Sequence, residues 1–189
     1  MNAFDFLLVL LSFVFALALG HVLTSAGRLM VARQRVRFSG LLALAMLNAV
    51  TTVYISWLAM WDFRDTKGID LYAVTNFFVS SVLIYIFCMG ASPEPAEEGE
   101  VDMEAFFWAQ HRFFYGAFSV LILTFIASTV VYLRTSQPQL FVEQAASNLP
   151  FLAAGLIGMV SRNRRVQLAV GVALFVMSVA WTVTFSWTF

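Results

Sequence analysis

Two histidines are the side chains of this chain best suited to acid–base or ligand chemistry inside an apolar setting. His21 lies seven residues inside Arg28, and His111 lies seven residues inside Glu104. Seven residues is about 10 Å of helix rise, so both imidazoles are expected at similar depth from one end. Three chemistries fit such a pair. The two rings could ligate one haem b iron from opposite faces, which would make the chain a haem-binding membrane electron carrier. They could hold a divalent metal together with Glu104 or Asp102, although no metal-ligating motif accompanies them. They could titrate near neutral pH and gate or relay protons. Two interfacial histidines hydrogen-bonded to their neighbours would leave the same trace in a sequence.

Other polar groups recur at helical spacing within apolar stretches. His21, Thr24, Ser25 and Arg28 share one face, as do Glu104, Trp108, His111, Tyr115 and Ser119. Asn48 sits with Thr51 and Thr52, Asn76 with Ser80, and Ser178 with Thr182 and Ser186. Such groups can bond across helices, at roughly 0.6 kcal/mol each. They can also line a path for a polar solute. A channel- or transporter-like path would run past His21, Asn48, Thr52, Asn76, Ser80, His111 and Tyr115. Six short helices enclose little space, so a pore would imply a homo-oligomer. No lysine falls in an apolar block, which leaves a retinal Schiff base without a candidate. No phosphate-binding loop, H-E-x-x-H or G-x-S-x-G occurs, and no catalytic set is assigned. Cys88 is the single cysteine. It cannot form an internal disulfide and reads as a small buried apolar residue.

The elements that carry these residues follow from charge. The chain has 189 residues, 61% hydrophobic and 12% charged, with mean hydropathy +0.83. A soluble domain is about a quarter charged. Residues 6–27, 38–61, 71–93, 113–133, 144–161 and 166–189 contain no Asp, Glu, Lys or Arg. Roughly 20 apolar residues cross a bilayer, and in lipid each block must satisfy its own backbone. The alternation of a barrel strand is absent. The sequence therefore predicts an all-α polytopic membrane protein: a single domain of six transmembrane helices in the lipid bilayer. The helices are expected at about 4–27, 38–60, 71–89, 105–133, 139–160 and 165–187. A polar link at 62–70 and an acidic loop at 91–104 join them, with Gly90 a candidate C-cap. The fifth helix is either one piece kinked at Pro150 or a short helix from Ser147. The first apolar run lacks a basic segment before it and reads as a retained helix, not a secretory signal.

Arg28, Arg33, Arg35, Arg37, Arg112, Arg162, Arg164 and Arg165 fall on one side of this topology; Arg64, Lys67 and Arg134 fall on the other. The richer side is expected inside, which puts both termini outside and the acidic loop inside. That loop could dock a basic partner of a scaffold or regulatory subunit. Formal net charge is zero, so nothing favours nucleic acid. Residues 31–57 and 160–187 share a basic turn, an apolar run and a closing Ser-Trp, a weak parallel repeat.

The segment Ala18-Leu-Gly-His-Val-Leu-Thr-Ser-Ala-Gly-Arg-Leu29, with the basic turn after it, resembles the first hairpin of an uncharacterised family of small multi-span bacterial membrane proteins. The resemblance covers about a third of the chain. It implies a bacterial inner-membrane setting and no particular activity.

Overall fold

The computed structural model describes the backbone of residues 3–60, 71–94, 100–136 and 138–186, and their side chains except 3–6, 130–144 and 185–186. The polar link at 62–70 lies outside the described residues. The architecture is all-helical: α1 (Ala3–Val31), α2 (Gly40–Ala59), α3 (Leu71–Gly90), α4 (Met103–Ser136), α5 (Pro138–Val160) and α6 (Arg164–Ser186). Five helices contain stretches long and apolar enough to cross a membrane: Leu7–Val31, Gly40–Ala59, Leu71–Gly90, Met103–Thr129 and Arg164–Thr184. The sixth expected span, α5, is a helix of 23 residues whose side chains are described only from Ala145 onward. Its described apolar part is Ala145–Val160, about 24 Å at 1.5 Å per residue and short of a ~30 Å hydrocarbon core. α5 nevertheless forms as one helix with Pro150 inside it, not as a late start at Ser147.

Helix ends differ from expectation for local reasons. α1 continues past Gly27 to Val31, with Arg28 in its last turn where the helix carbonyls favour a cation. Gly90 remains helical. A Cβ there would meet the Phe113 side chain at 3.1 Å and the Phe114 backbone at 3.2 Å, so this glycine allows α3 to approach α4. The chain then turns through Ala91 and Ser92, whose N–H groups bond the Cys88 and Met89 carbonyls. The Ser92 hydroxyl donates to the Cys88 carbonyl at 2.7 Å.

The expected acidic loop is trimmed at both ends. Ala91, Ser92 and Pro93 are buried. Val101–Asp102 forms a short strand, β2, paired in parallel with β1 (Val36–Arg37), Val36 opposite Val101 and Arg37 opposite Asp102. Asp102 then starts α4 two residues before the expected position. Its Oδ1 accepts the N–H groups of Glu104 and Ala105, both at 2.9 Å, and its Oδ2 accepts Arg37 Nη1 at 3.1 Å. This is an N-cap and an ion pair on one carboxylate. Residues 95–99 lie outside the described residues.

The helices close into a ring in the order α1, α3, α4, α5, α6, α2, with α2 back against α1. α2 also touches α3 and α4, which fills the middle. The β1–β2 pair, the Arg164–Glu104 ion pair at 3.7 Å and the short α5–α6 turn gather the arginine-rich joints at one end. Lipid supplies no hydrophobic force between helices, so small residues and polar bonds must hold them. Asn48, 4% exposed, donates Nδ2 to the carbonyls of Leu44 and Gly171, each at 3.0 Å, which staples α2 to α6. A Cβ on Gly171 would meet Leu44 Cδ2 at 2.6 Å. Between α5 and α4, a Cβ on Gly155 would meet Ser119 Oγ at 2.6 Å, and one on Gly158 the Tyr115 ring at 2.7 Å. Phe87 of α3 stacks on Phe114 of α4 with centroids 4.3 Å apart.

The outer faces are apolar: Val9, Phe13, Leu17, Phe78, Val120, Leu123, Ile157, Val172 and Val176 are all exposed. An apolar skin of this extent is that of a membrane-embedded multi-pass protein. Two outcomes follow. Gly171→Leu should lower stability by about 1–3 kcal/mol through overpacking and Asn48→Leu by about 0.6–1.7 kcal/mol, read as unfolding in detergent micelles. The Ala105 N–H does most to hold the Asp102 carboxyl below its ordinary 3.8, with the Glu104 N–H and Arg37 helping and partial desolvation opposing. With the folded value lowered, this contact adds stability above about pH 4 and loses it as pH falls through the folded value. Asp102→Asn should therefore flatten the acid limb of a stability profile measured from pH 3 to 7; an unchanged limb would contradict the assignment.

Candidate functional site

α1 turns one face of small and polar residues towards α3 near the arginine-rich end. Between them lies a cleft of about 320 Å³, lined by Ala16, Leu17, Gly20, His21, Thr24, Ser25 and Arg28 of α1, Tyr85 of α3, and Pro93 and Glu94 of the segment after it. Its size is at the lower edge of small-molecule sites. The floor is fixed by one bond: Ser25, 5% exposed, donates its hydroxyl to the Pro93 carbonyl at 2.5 Å. That bond holds the segment after α3 against α1. His21 is half-buried, its ring 6.2 Å from that of Tyr85 and tilted 52°.

The charges here are arranged unusually. Arg28 and Glu94 both line the cleft and both are exposed. Among the described residues no ion pair joins them, whereas Arg37 pairs with Asp102 and Arg164 with Glu104. Thr24 also differs from its counterparts. Thr51, Thr75, Thr124 and Thr182 each return the hydroxyl to the carbonyl four residues back. Among the described residues no such bond is made by Thr24, whose hydroxyl stands on the cleft wall.

The other candidate residues fall elsewhere. His111, 3% exposed, is not part of the cleft lining. Its Nδ1 lies 2.9 Å from the Trp108 carbonyl, and its ring packs with Phe107 and Trp108. Among the described residues, no hydrogen bond or ring contact joins it to His21. Tyr115 is buried against Gly158. Asn48 serves the α2–α6 staple, and Thr52 is half-buried on the same helix. Asn76 and Ser80 do come together: Ser80 donates to Asn76 Oδ1 at 3.2 Å, and Asn76 Nδ2 donates to Ser128 of α4. The residues of the expected path therefore fall at separate places: the His21 cleft, the α3–α4 amide, the α2–α6 staple, the His111 ring cluster of α4 and the contact of Tyr115 with α5. No group of three His, Cys, Asp or Glu suited to a metal ion occurs among the described residues.

Several participants gave no distinctive sequence signal. Tyr85 and Glu94 enter the cleft only through tertiary packing. Gln167, 1% exposed, donates Nε2 to the carbonyls of Gly158 at 2.7 Å and Ser161 at 2.6 Å, closing the end of α5. Its Oε1, with His111 Nε2 and Ser39 Oγ, is buried without a partner among the described residues. Ser39 stands at the N-cap of α2, Gln167 lies in the first turns of α6 and His111 in the third turn of α4, each at a depth where a penetrating water would satisfy it.

No protein-family model, curated protein or solved structure matches this chain. In a Cys88→Ser background, Thr24→Cys should react with a water-soluble maleimide, while Leu121→Cys, at a fully buried position of α4, should not. Equal labelling of the two would mean that this cleft is not open to water.

Proposed function

We propose that the chain is a transporter-like protein of a bacterial inner membrane, in which the cleft beside His21 admits a ligand from the cytoplasmic side. The observation that carries this reading is the reach of the cleft. Its lining runs from Arg28, in the last turn of α1, to Ala16, close to the middle of the span Leu7–Val31. That is about 18 Å of helix. A ligand entering at the arginine-rich end thus reaches mid-span without crossing a packed layer. The filled centre of the ring favours a route on the flank, along α1 and α3, over an axial pore.

The orientation follows the excess of arginine. With α5 counted as a sixth crossing, both termini face outward and the arginine-rich joints face the cytoplasm. Passage of a ligand needs a second state in which the far half of the α1–α3 contact opens.

The test is reconstitution of the full chain in liposomes with a panel of small cations and anions, amino acids and fluorescent phospholipids. At least one should cross faster than in protein-free vesicles. Gly20→Trp should stop that movement, because a Cβ at Gly20 meets nothing within 4 Å and the indole can fill the cleft without disturbing the bundle. Vesicles as tight as the protein-free control across the whole panel would overturn the reading.

A further inference from the structure

We infer that the cleft between α1 and α3 binds a zwitterion carrying a phosphate and a primary ammonium, supplied as the headgroup of a phospholipid. The inference rests on the cleft being a ligand site, as proposed above, and adds the class of ligand. Arg28 and Glu94 face one small space without pairing with each other. A ligand bearing one anionic and one cationic group can bridge opposite charges held apart in this way. The guanidinium matches a phosphate in two-pronged geometry, and the Thr24 hydroxyl supplies another donor on the same face. The Glu94 carboxylate accepts only, so it selects an ammonium that still carries N–H groups.

The apolar part of the cleft identifies the source. Below the polar rim the wall is Gly20, Leu17 and Ala16, all exposed on the outer flank of α1. Leu17 is 65% exposed in a helix that crosses the membrane, so this wall faces lipid tails. A headgroup held at Arg28 and Glu94 can lay its chain along this strip. A free solute would leave the strip uncovered.

Binding of phosphatidylethanolamine, phosphatidylcholine and phosphatidylglycerol to the purified full chain in detergent, followed by native mass spectrometry, tests this directly. Phosphatidylethanolamine should bind about tenfold or more tightly than either of the others, since each lacks the hydrogen-bonded charge at Glu94. Glu94→Gln should erase that preference. Arg28→Gln should weaken phosphatidylethanolamine and phosphatidylglycerol alike, by about tenfold. Arg165→Gln, outside the cleft, should change neither. These are exposed positions, and an unchanged elution volume on size exclusion shows that each variant is folded. Glycerophosphoethanolamine binding as tightly as the two-chain lipid would overturn the lipid source. Equal binding of the three lipids, or a preference that survives Glu94→Gln, would overturn the ligand class. Movement of another solute in the liposome panel, with no lipid preference here, would sink this inference alone. A lipid preference in vesicles that pass nothing would sink only the transporter reading.

Discussion

The hydrocarbon of a bilayer contains no water to bond a peptide group, and the rest of this structure depends on that constraint. Each charge-free block closes its own backbone bonds as a helix, and the charges collect at the joints. The same solvent removes the usual reason for helices to associate, because lipid tails are as apolar as leucine. The bundle is instead held where backbones come close and where a polar group finds one partner. Gly90, Gly155, Gly158 and Gly171 supply the close approaches. Asn48, Asn76 and Gln167 supply cross-helix bonds. The glycines and amides are thus two halves of one solution, and at α2–α6 they meet: Asn48 bonds the carbonyl of the glycine that lets Leu44 approach.

Most of the fold was legible because charge is a strong local signal. Blocks free of charge located all six helices to within a turn at most ends. Where the reading failed, the deciding partner lay far away in sequence. α4 begins at Met103 because Asp102 caps it and Arg37, 65 residues earlier, holds the cap. Composition saw only an acidic loop there. α5 is one helix from Pro138 to Val160 despite Pro150 inside it. Nothing local decides whether such a helix spans.

The site was legible in half. The i, i+3, i+4, i+7 pattern of His21, Thr24, Ser25 and Arg28 marks one face of α1, and that face lines the cleft. Tyr85 and Glu94 complete it from α3 and the segment beyond, which no periodicity on α1 could reveal. The pairing of His21 with His111 rested on equal depth alone. Depth fixes height along the bundle but not which side of a helix a ring occupies. His111 faces Phe107 and Trp108, and His21 faces Tyr85. Asn48 shows the converse: its partner is a glycine carbonyl, a group with no side-chain signature.

The parallel pairing of Val36 with Val101 has a consequence in time. The first hairpin leaves the ribosome before its rim partner exists. At roughly 5–20 residues per second, the 65 residues separating the two strands take about 3–13 s to make. During that interval α1 and α2 sit in the bilayer with Arg37 unmatched and the strand edge at Val36 open to water. The newborn protein therefore passes through a stage as an unclasped pair of helices, and its rim is sealed only after a third helix has been made and a fourth begun.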